Sequence, residues 1–381
     1  MKKHSAGHEP LIRIAQRMPM PWLGRWGVRL LGVLAGLIAG SLIILAFTDL
    51  DPITVYRTML ESNFGTADIA FQYRMKTFWV TIRDTMTLLL VGLALAPAFK
   101  MKFWNIGGEG QILVGGLATA AVMKLCGDLL PAPLLFTSMV LASLAAGLIW
   151  GLIPAIFKAQ WKTNETLFTL MMNYIAFQLV AAFSIIWEAK KGSGSIGMIN
   201  KTTKAGYLPT IMEDVLGNGN YIIHVIVVLA LAVMMFAYIR YTKQGYELSV
   251  VGESENTARY AGINVKKVIL RTMMISGALC GLTGFILVSG SSHTISISTS
   301  DGRGFTAIIV AWLGKFNPFY MLMMSYFLVF MEYGARGVAS ACRLNVAFSD
   351  IITGVILFFI LGCEFFIRYR VIFRGTHREV M

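Results

Sequence analysis

A cluster of polar residues lies between two long apolar stretches, where a site inside a membrane would need them. Asn105, Glu109 and Gln111 stand among three glycines in the stretch FWNIGGEGQ at 103–111. Asn105 can accept hydrogen bonds from the free backbone N–H groups that begin the next helix, and the helix dipole favours Glu109 in its first turn. The stretch is therefore either a capped helix start at the membrane surface or a broken helix whose polar groups line a cavity.

Other polar side chains interrupt the apolar stretches singly. Asp84 and Asn173 fall within predicted membrane helices. Polar and charged groups in the membrane are costly, and they usually face the protein interior or a wet cavity. Together with Asn105, Glu109 and Gln111 they form the predicted substrate path, a polar route through the membrane. Pairing with a neighbouring group of the same chain is the competing explanation.

A second polar stretch, GYELSVVGESENTARYAGIN at 245–264, has the signals of one short helix with glycines on both sides. Ser254 is a credible N-cap, Glu255 suits the first turn, and Gly262 suits the left-handed position after the helix end. Asn264 can then cap the membrane helix that follows. A helix of about two turns is marginal in isolation, so it needs a partner surface. The stretch is therefore either a docking helix for another protein or a plain polar connector.

These polar residues are exceptions in a very apolar chain of 381 residues. Only 14% of the residues are charged, against roughly 25% in an ordinary soluble domain. Hydrophobic residues make up 56%, and the mean hydropathy is +0.67. Several apolar runs reach about 20 residues, the length that crosses the hydrocarbon core as a helix. The composition excludes a soluble enzyme, a disordered chain and a nucleic-acid-binding domain, and the continuous runs argue against an outer-membrane barrel.

The apolar runs predict an all-α integral membrane protein with about ten transmembrane helices. The predicted helices are Val28–Thr48, Thr77–Phe99, Ile106–Cys126, Leu134–Phe157, Thr166–Trp187, Tyr221–Ile239, Val268–Gly290, Gly304–Leu313, Pro318–Gly334 and Ile351–Ile367. Most of the 33 basic residues fall on the side that holds both termini, which predicts that both termini are cytoplasmic. The second to fifth and the seventh to tenth helices run in opposite senses, which is the parity of an inverted repeat.

One membrane domain is predicted over residues 28–367, between a cytoplasmic N-terminal segment at 1–27 and a cytoplasmic tail at 368–381. The long loop at 188–220 is predicted to lie outside, and the loop at 240–267, which contains the short helix, inside. No cysteine or histidine pattern has the spacing of metal ligands, so no metal site is predicted.

Small residues recur at four-residue spacing in three of the predicted helices. They are Gly32, Gly36 and Gly40, then Ser143, Gly147 and Gly151, then Gly277 and Gly281. This spacing lets two helix backbones approach closely in lipid. Each stripe is either a subunit interface or, more commonly, packing within the chain.

Four blocks of the sequence resemble a known transporter family. NIGGEGQ at 105–111 is similar to the signature of membrane subunits of ABC importers for nucleosides and simple sugars, in the branched-chain amino acid/ribose permease superfamily. The sequences GES at 252–254 and ARYAGI at 258–263 resemble the family's cytoplasmic loop that docks on the ATPase. SGALCGLTG at 276–284, and GFTAI at 304–308 with LGKFNP at 313–318, resemble its later motifs.

The resemblance implies a transport subunit of the bacterial cytoplasmic (inner) membrane that works by alternating access and is not itself an enzyme. It implies a separate ABC ATP-binding subunit that holds ATP and magnesium, a second permease subunit, and an extracytoplasmic substrate-binding lipoprotein. The chain has no GxxxxGK[ST] phosphate-binding motif, so no cofactor is expected in this chain and a separate ATPase must hydrolyse ATP. The implied docking residues are Gly252, Glu253, Ser254, Asn256, Ala258, Arg259, Tyr260 and Gly262.

The substrate and the mode of energy coupling leave alternatives. Nucleosides are the first choice because NIGGEGQ looks closest to that branch, with simple sugars close behind. The long N-terminal segment resembles that of the larger permease in two-permease systems, which favours a heterodimer over a homodimer. The alternative function is an ion-coupled secondary transporter of a small polar solute, with Asp84 and Glu364 as coupling carboxylates. That alternative does not explain the short capped helix. An intramembrane enzyme is disfavoured because no nucleophile–base or metal motif appears within the helices.

Overall fold

The computed structural model describes residues 12–18, 20–65, 71–211 and 220–373. Parts of three predicted segments therefore lie outside the described residues: 1–11 and 19 of the N-terminal segment, 212–219 of the outer loop, and 374–381 of the tail. The chain packs as two units, one formed by residues 1–66 with 331–381 and the other by residues 67–330.

The described chain is helical almost throughout. Its helices are α1 (Trp22–Phe47), α2 (Pro52–Phe64), α3 (Phe71–Lys100), α4 (Gly108–Cys126), α5 (Ala132–Trp161), α6 (Glu165–Ile186), α7 (Ile222–Tyr241), α8 (Lys243–Glu253), α9 (Glu255–Tyr260), α10 (Val265–Leu287), α11 (Arg303–Leu313), α12 (Pro318–Ala341) and α13 (Val346–Arg368). A helix lies over each of the ten segments predicted from hydropathy, while α2 and α8 were not predicted.

Seven helices in the described part of the chain are long and apolar enough to cross a membrane. They are Leu23–Phe47, Met75–Lys100, Ala132–Trp161, Glu165–Ile186, Ile222–Tyr241, Val265–Ser292 and Asp350–Arg368. The all-α, multi-pass membrane fold is therefore confirmed. A total of ten crossings stays a prediction, as does the inverted repeat.

The first unit joins the two ends of the described chain. Strand β1 (Ile12–Gln16) pairs in antiparallel fashion with β2 (Tyr369–Phe373), a sheet that the sequence did not predict. β1 leads into α1, β2 follows α13, and Gly36 of α1 packs on the backbone of Ile356 in α13. α1 and α13 are both able to cross the membrane, and the start of α1 and the end of α13 meet at this sheet. These two helix ends therefore lie on the same side of the bilayer. The chain from α1 to α13 must then cross the membrane an even number of times.

In the second unit, α10 packs against α5 along the predicted stripes of small residues. Gly147 and Gly151 of α5 face Gly277 and Gly281 of α10, and a carbon added at Gly147 would lie 2.7 Å from the Cα of Gly281. Small residues at this spacing allow such close approach of two backbones. These two stripes therefore serve packing within the chain.

We expect Gly147→Ala to lower the free energy of unfolding by about 1–3 kcal/mol, because the added carbon must separate two tightly packed backbones. Gly354→Ala in α13 is the matched control, since a carbon there meets nothing within 4 Å and alanine is the better helix former. Thermal unfolding in detergent, followed by circular dichroism, checks the difference. Equal unfolding temperatures for the two variants would contradict this packing.

Candidate functional site

The first predicted motif forms a buried turn between α3 and α4. Asn105 is fully buried, its Oδ1 accepts from the Gly107 N–H (3.1 Å), and its Nδ2 donates to Ser276 Oγ of α10 (3.1 Å). The side chain of Gln111 pairs with the same amide: its Nε2 donates to Asn105 Oδ1 (3.3 Å), and its Oε1 accepts from Asn105 Nδ2 (3.4 Å). Asn105 was predicted to accept from N–H groups of the following helix, but it accepts from Gly107, the residue just before α4. The side chains of Asn105, Gln111 and Ser276 form hydrogen bonds with one another in this buried turn.

Two residues of α6 hold the same turn from another side. Asn173 Oδ1 accepts from the Gly110 N–H (2.9 Å), and its Nδ2 donates to the Ile106 carbonyl (3.0 Å). Thr169 Oγ1 accepts from the Ile106 N–H (3.2 Å). These contacts replace backbone hydrogen bonds that an irregular segment inside a membrane protein would otherwise lack. Sequence reasoning missed Thr169, which stands four residues before Asn173 on the same helical face.

Glu109 binds the start of a different helix. It is only 3% exposed, and its carboxylate accepts from the Gly302 N–H (2.9 Å) and the Gly304 N–H (2.6 Å). These two N–H groups lie at the N-terminus of α11, 193 and 195 residues further along the chain. A negative charge is favoured there by the helix dipole, and hydrogen bonds to a carboxylate are the stronger kind. Glu109 therefore joins the beginnings of α4 and α11.

The segment that leads to α11 departs from regular helix. A π-helical turn at Val288–Ser292 and a 3₁₀ turn at Ile297–Thr299 follow α10, and Gly302 then adopts a φ of +69°. That left-handed backbone suits glycine. α11 has only 11 residues, and its N-terminus is buried against α4. A discontinuous helix whose N-terminus lies inside the protein is a recurrent feature of transporter sites.

Asp84 lies on α3 and is compensated by two arginines. Its carboxylate is 2.8 and 3.0 Å from the guanidinium of Arg83 and 3.2 Å from that of Arg303, the first residue of α11. The ring of Tyr221 lies 5.2 Å from the Arg83 guanidinium. The carboxylate that the ion-coupled alternative would use for coupling is therefore part of a charge network that reaches α11.

A cavity of about 520 Å³ lies beside Tyr221, in the size range of small-molecule sites. The rings of Tyr207 and His293 stack in its wall at 3.7 Å. Burial raises the pKa of Tyr207 and lowers the pKa of His293, so both rings are favoured in their neutral forms. This cavity could not be predicted from the sequence, because its walls come from segments far apart in the chain.

The second predicted motif forms two helices, α8 and α9, where one was expected. Ser254 caps α9 by accepting from the Thr257 N–H (3.3 Å), Gly262 has a φ of +76°, and Asn264 caps α10 through the Lys267 N–H (3.2 Å). These predicted capping features are present. The expectation of a single short helix in this stretch was wrong, because Lys243–Glu253 forms the additional helix α8.

The predicted docking residues divide by exposure. Gly252 and Ala258 are buried, and Ser254 is half-buried. The exposed members are Glu253, Asn256, Arg259, Tyr260 and Gly262. Tyr260 is 95% exposed, and Arg259 lies 3.5 Å from Glu255 one turn earlier. The exposed residues therefore lie on α9 and just beyond its two ends, with Glu253 the last residue of α8.

Comparison with known proteins decides the family. Residues 79–361 match the family described as the permease component of the branched-chain amino acid transport system. The chain belongs to this permease family. All the residues of both motifs, the buried polar turn at 103–111 and the stretch at 245–264, lie within the span that matches the family.

Full-length relatives agree with this assignment. The permease is 30% identical to a glucose ABC transporter permease of Haloferax volcanii, over 94% of this chain and 93% of the relative. It is also 30% identical to a guanosine ABC transporter permease of Bacillus subtilis, over 87% and 92%. A nucleoside ABC transporter permease of Lactococcus lactis is 28% identical, over 87% and 90%. The chain is therefore a transport subunit of an ABC transporter and not an enzyme.

Proposed function

We propose that the permease imports nucleosides, with simple sugars as the second candidate class, by alternating access across the bacterial cytoplasmic membrane. The observation that carries this proposal is the family match over 79–361, together with relatives named for guanosine, nucleosides and glucose. In the proposed complex a separate ATPase binds ATP and magnesium. A second permease subunit completes the membrane domain, and an extracytoplasmic lipoprotein delivers the substrate.

The proposed ATPase contact is the exposed surface of α9. Ala258 is fully buried under this surface, in an apolar cluster that includes Leu248 of α8, Val265 of α10, and Phe103. Phe103 stands two residues before Asn105. A displacement of α9 by the ATPase would therefore be transmitted to the buried polar turn through these packed side chains. This is the coupling route that we propose.

For the predicted path residues we propose a positioning role at the broken helices. Asn105, Gln111 and Asn173 hold the turn before α4, while Glu109 and Asp84 hold the start of α11. Alternating access requires two arrangements of these elements with similar free energy. In the proposed cycle, exchange of these hydrogen bonds opens and closes the polar path to the substrate.

Uptake into proteoliposomes that contain the complete transporter tests the substrate class. We expect labelled guanosine to accumulate, and unlabelled guanosine to compete far better than glucose, because NIGGEGQ resembles the motif of the nucleoside branch and two of the three relatives are named for guanosine or nucleosides. Transporter that lacks the lipoprotein is the control. Accumulation of glucose without competition by guanosine would assign the permease to the sugar branch and contradict the first choice.

A further inference from the structure

The two-stranded sheet of the first unit has two chemically different faces. Side chains alternate along a strand, and residues paired across two strands lie on the same face. The register pairs Arg13 with Ile372 and Ala15 with Arg370, so both arginines lie on one face. The opposite face carries Ile14, paired with Val371, and also Tyr369. Ile14 is 58% exposed and Tyr369 is 40% exposed.

Two more arginines stand at the end of the sheet. The Arg17 N–H donates to the Arg368 carbonyl at 2.9 Å, which continues the pairing by one residue. The Arg17 guanidinium also donates to the Phe366 carbonyl (3.1 Å). Within the described part of the chain, Arg13, Arg368 and Arg370 form no ion pair with an acidic side chain. Among the described residues, therefore, no acidic side chain neutralises the positive charge of these three arginines.

The sheet lies at the surface of the bilayer because of its connections. β2 begins directly after Arg368, the last residue of a helix that is able to cross the membrane. A strand rises about 3.3 Å per residue, so Arg370 lies within about 7 Å of the end of that helix. This distance corresponds to the level of the lipid headgroups.

We propose that this sheet, defined by Arg13, Arg17, Arg368 and Arg370 with the apolar Ile14, Tyr369 and Val371, is a binding surface for anionic lipid headgroups. Elements with one basic and one apolar face lie in the plane of the membrane interface. The planar guanidinium groups bind phosphate oxygens, while the apolar face enters the boundary with the acyl chains. The surface ties both ends of the described chain to the bilayer, whichever substrate is transported.

The test compares lipid selectivity in nanodiscs of phosphatidylcholine mixed with phosphatidylglycerol. We expect the full chain to enrich phosphatidylglycerol, measured by native mass spectrometry of retained lipids and by spin-labelled phosphatidylglycerol. Arg13→Gln with Arg370→Gln is expected to lower that preference by about fivefold for each arginine removed. The matched control is Lys190→Gln with Lys191→Gln, two exposed cations in the loop after α6, and it should keep the preference.

Two further measurements keep the proposal falsifiable. Arg13→Lys with Arg370→Lys retains the charge and should retain most of the preference, which separates charge from a folding defect. Titration of the partner ATPase into phosphatidylcholine nanodiscs tests the competing occupant, a protein with an acidic surface. An unchanged phosphatidylglycerol preference in the folded glutamine variant would overturn the proposal. Loss of ATPase binding by that variant in neutral lipid would also overturn it.

Discussion

Glutamine in place of Glu109 is expected to lower the free energy of unfolding by about 2–4 kcal/mol and to abolish uptake. The carboxylate accepts from the backbone N–H groups of Gly302 and Gly304, and the site is buried. A glutamine side chain has one acceptor oxygen, so its amide NH₂ would face the second N–H. An unsatisfied buried donor and the loss of a charge-assisted hydrogen bond together cost this much. α11 begins at these two N–H groups, so the substitution also removes the hydrogen bonds that position this helix.

The chain offers a matched control for this substitution. Glu188 also accepts from two backbone N–H groups, those of Gly192 (2.9 Å) and Gly194 (3.2 Å), but in an exposed loop. Glu188→Gln should change the free energy of unfolding by about 0.5 kcal/mol or less, because water replaces the lost hydrogen bonds. Thermal unfolding and uptake are measured for both variants. If the two behave alike, the burial of Glu109 has no structural consequence and the assigned role is wrong.

Alanine in place of Arg259 is expected to weaken ATPase binding by about 30-fold and to stop ATP-driven uptake, with the membrane domain still folded. Arginine is among the residues whose loss at an interface costs about 2 kcal/mol or more. Arg259 is exposed at the end of α9, and its contact with Glu255 is long, at 3.5 Å. Its loss therefore costs the free permease little, and the effect appears at the proposed interface.

Arg57→Ala is the control for this second prediction. Arg57 forms the same type of ion pair, with Glu61 one turn later at 2.7 Å, on the exposed surface of α2. Such pairs contribute only about 0.3–0.5 kcal/mol, and α2 is not part of the proposed docking surface. Titration of the ATPase into nanodiscs that hold each variant gives the two affinities. An equal loss in both variants would remove the basis for docking at α9.

The features that the sequence predicted well depend on neighbouring residues. Ser254 and Asn264 cap helices through backbone groups three residues away, and Gly262 adopts the left-handed backbone after α9. Each signal needs only the local chain, so it can be read directly from the residue order. The small-residue stripes were readable for the same reason, although only the fold showed that those of α5 and α10 pack against each other.

The glycines of α8 were misread because their role is tertiary. Glycines on both sides appeared to isolate one short helix that begins after Ser254, so α8 was not predicted. In the fold, Gly252 lies against the end of α3, where an added carbon would be 3.2 Å from the Cα of Met101. Gly245 similarly contacts the carbonyl groups at the end of α7. Both glycines allow close approach of backbones inside a continuous helix.

Long-range partners account for the rest of what was missed. The binding of Glu109 to Gly304 joins residues 195 apart, and nothing near either residue indicates the other. The pairing of β1 with β2 likewise joins the two ends of the described chain. Helix α2 is different, since Asp51 accepts from the Thr54 N–H (3.2 Å) and Pro52 begins the helix. That local signal was present in the sequence and was overlooked because the segment is too short to cross a membrane.

In the proposed mechanism a separate ATPase powers this permease, and the energy requirement of uptake tests that coupling most directly. Proteoliposomes with the permease, its partner subunits and enclosed ATP are compared with vesicles that lack the ATPase, each with and without an ionophore. If a separate ATPase drives transport, uptake requires both the ATPase and ATP. Uptake then continues when the ionophore collapses the ion gradients. Uptake that persists without the ATPase and stops with the ionophore would contradict it.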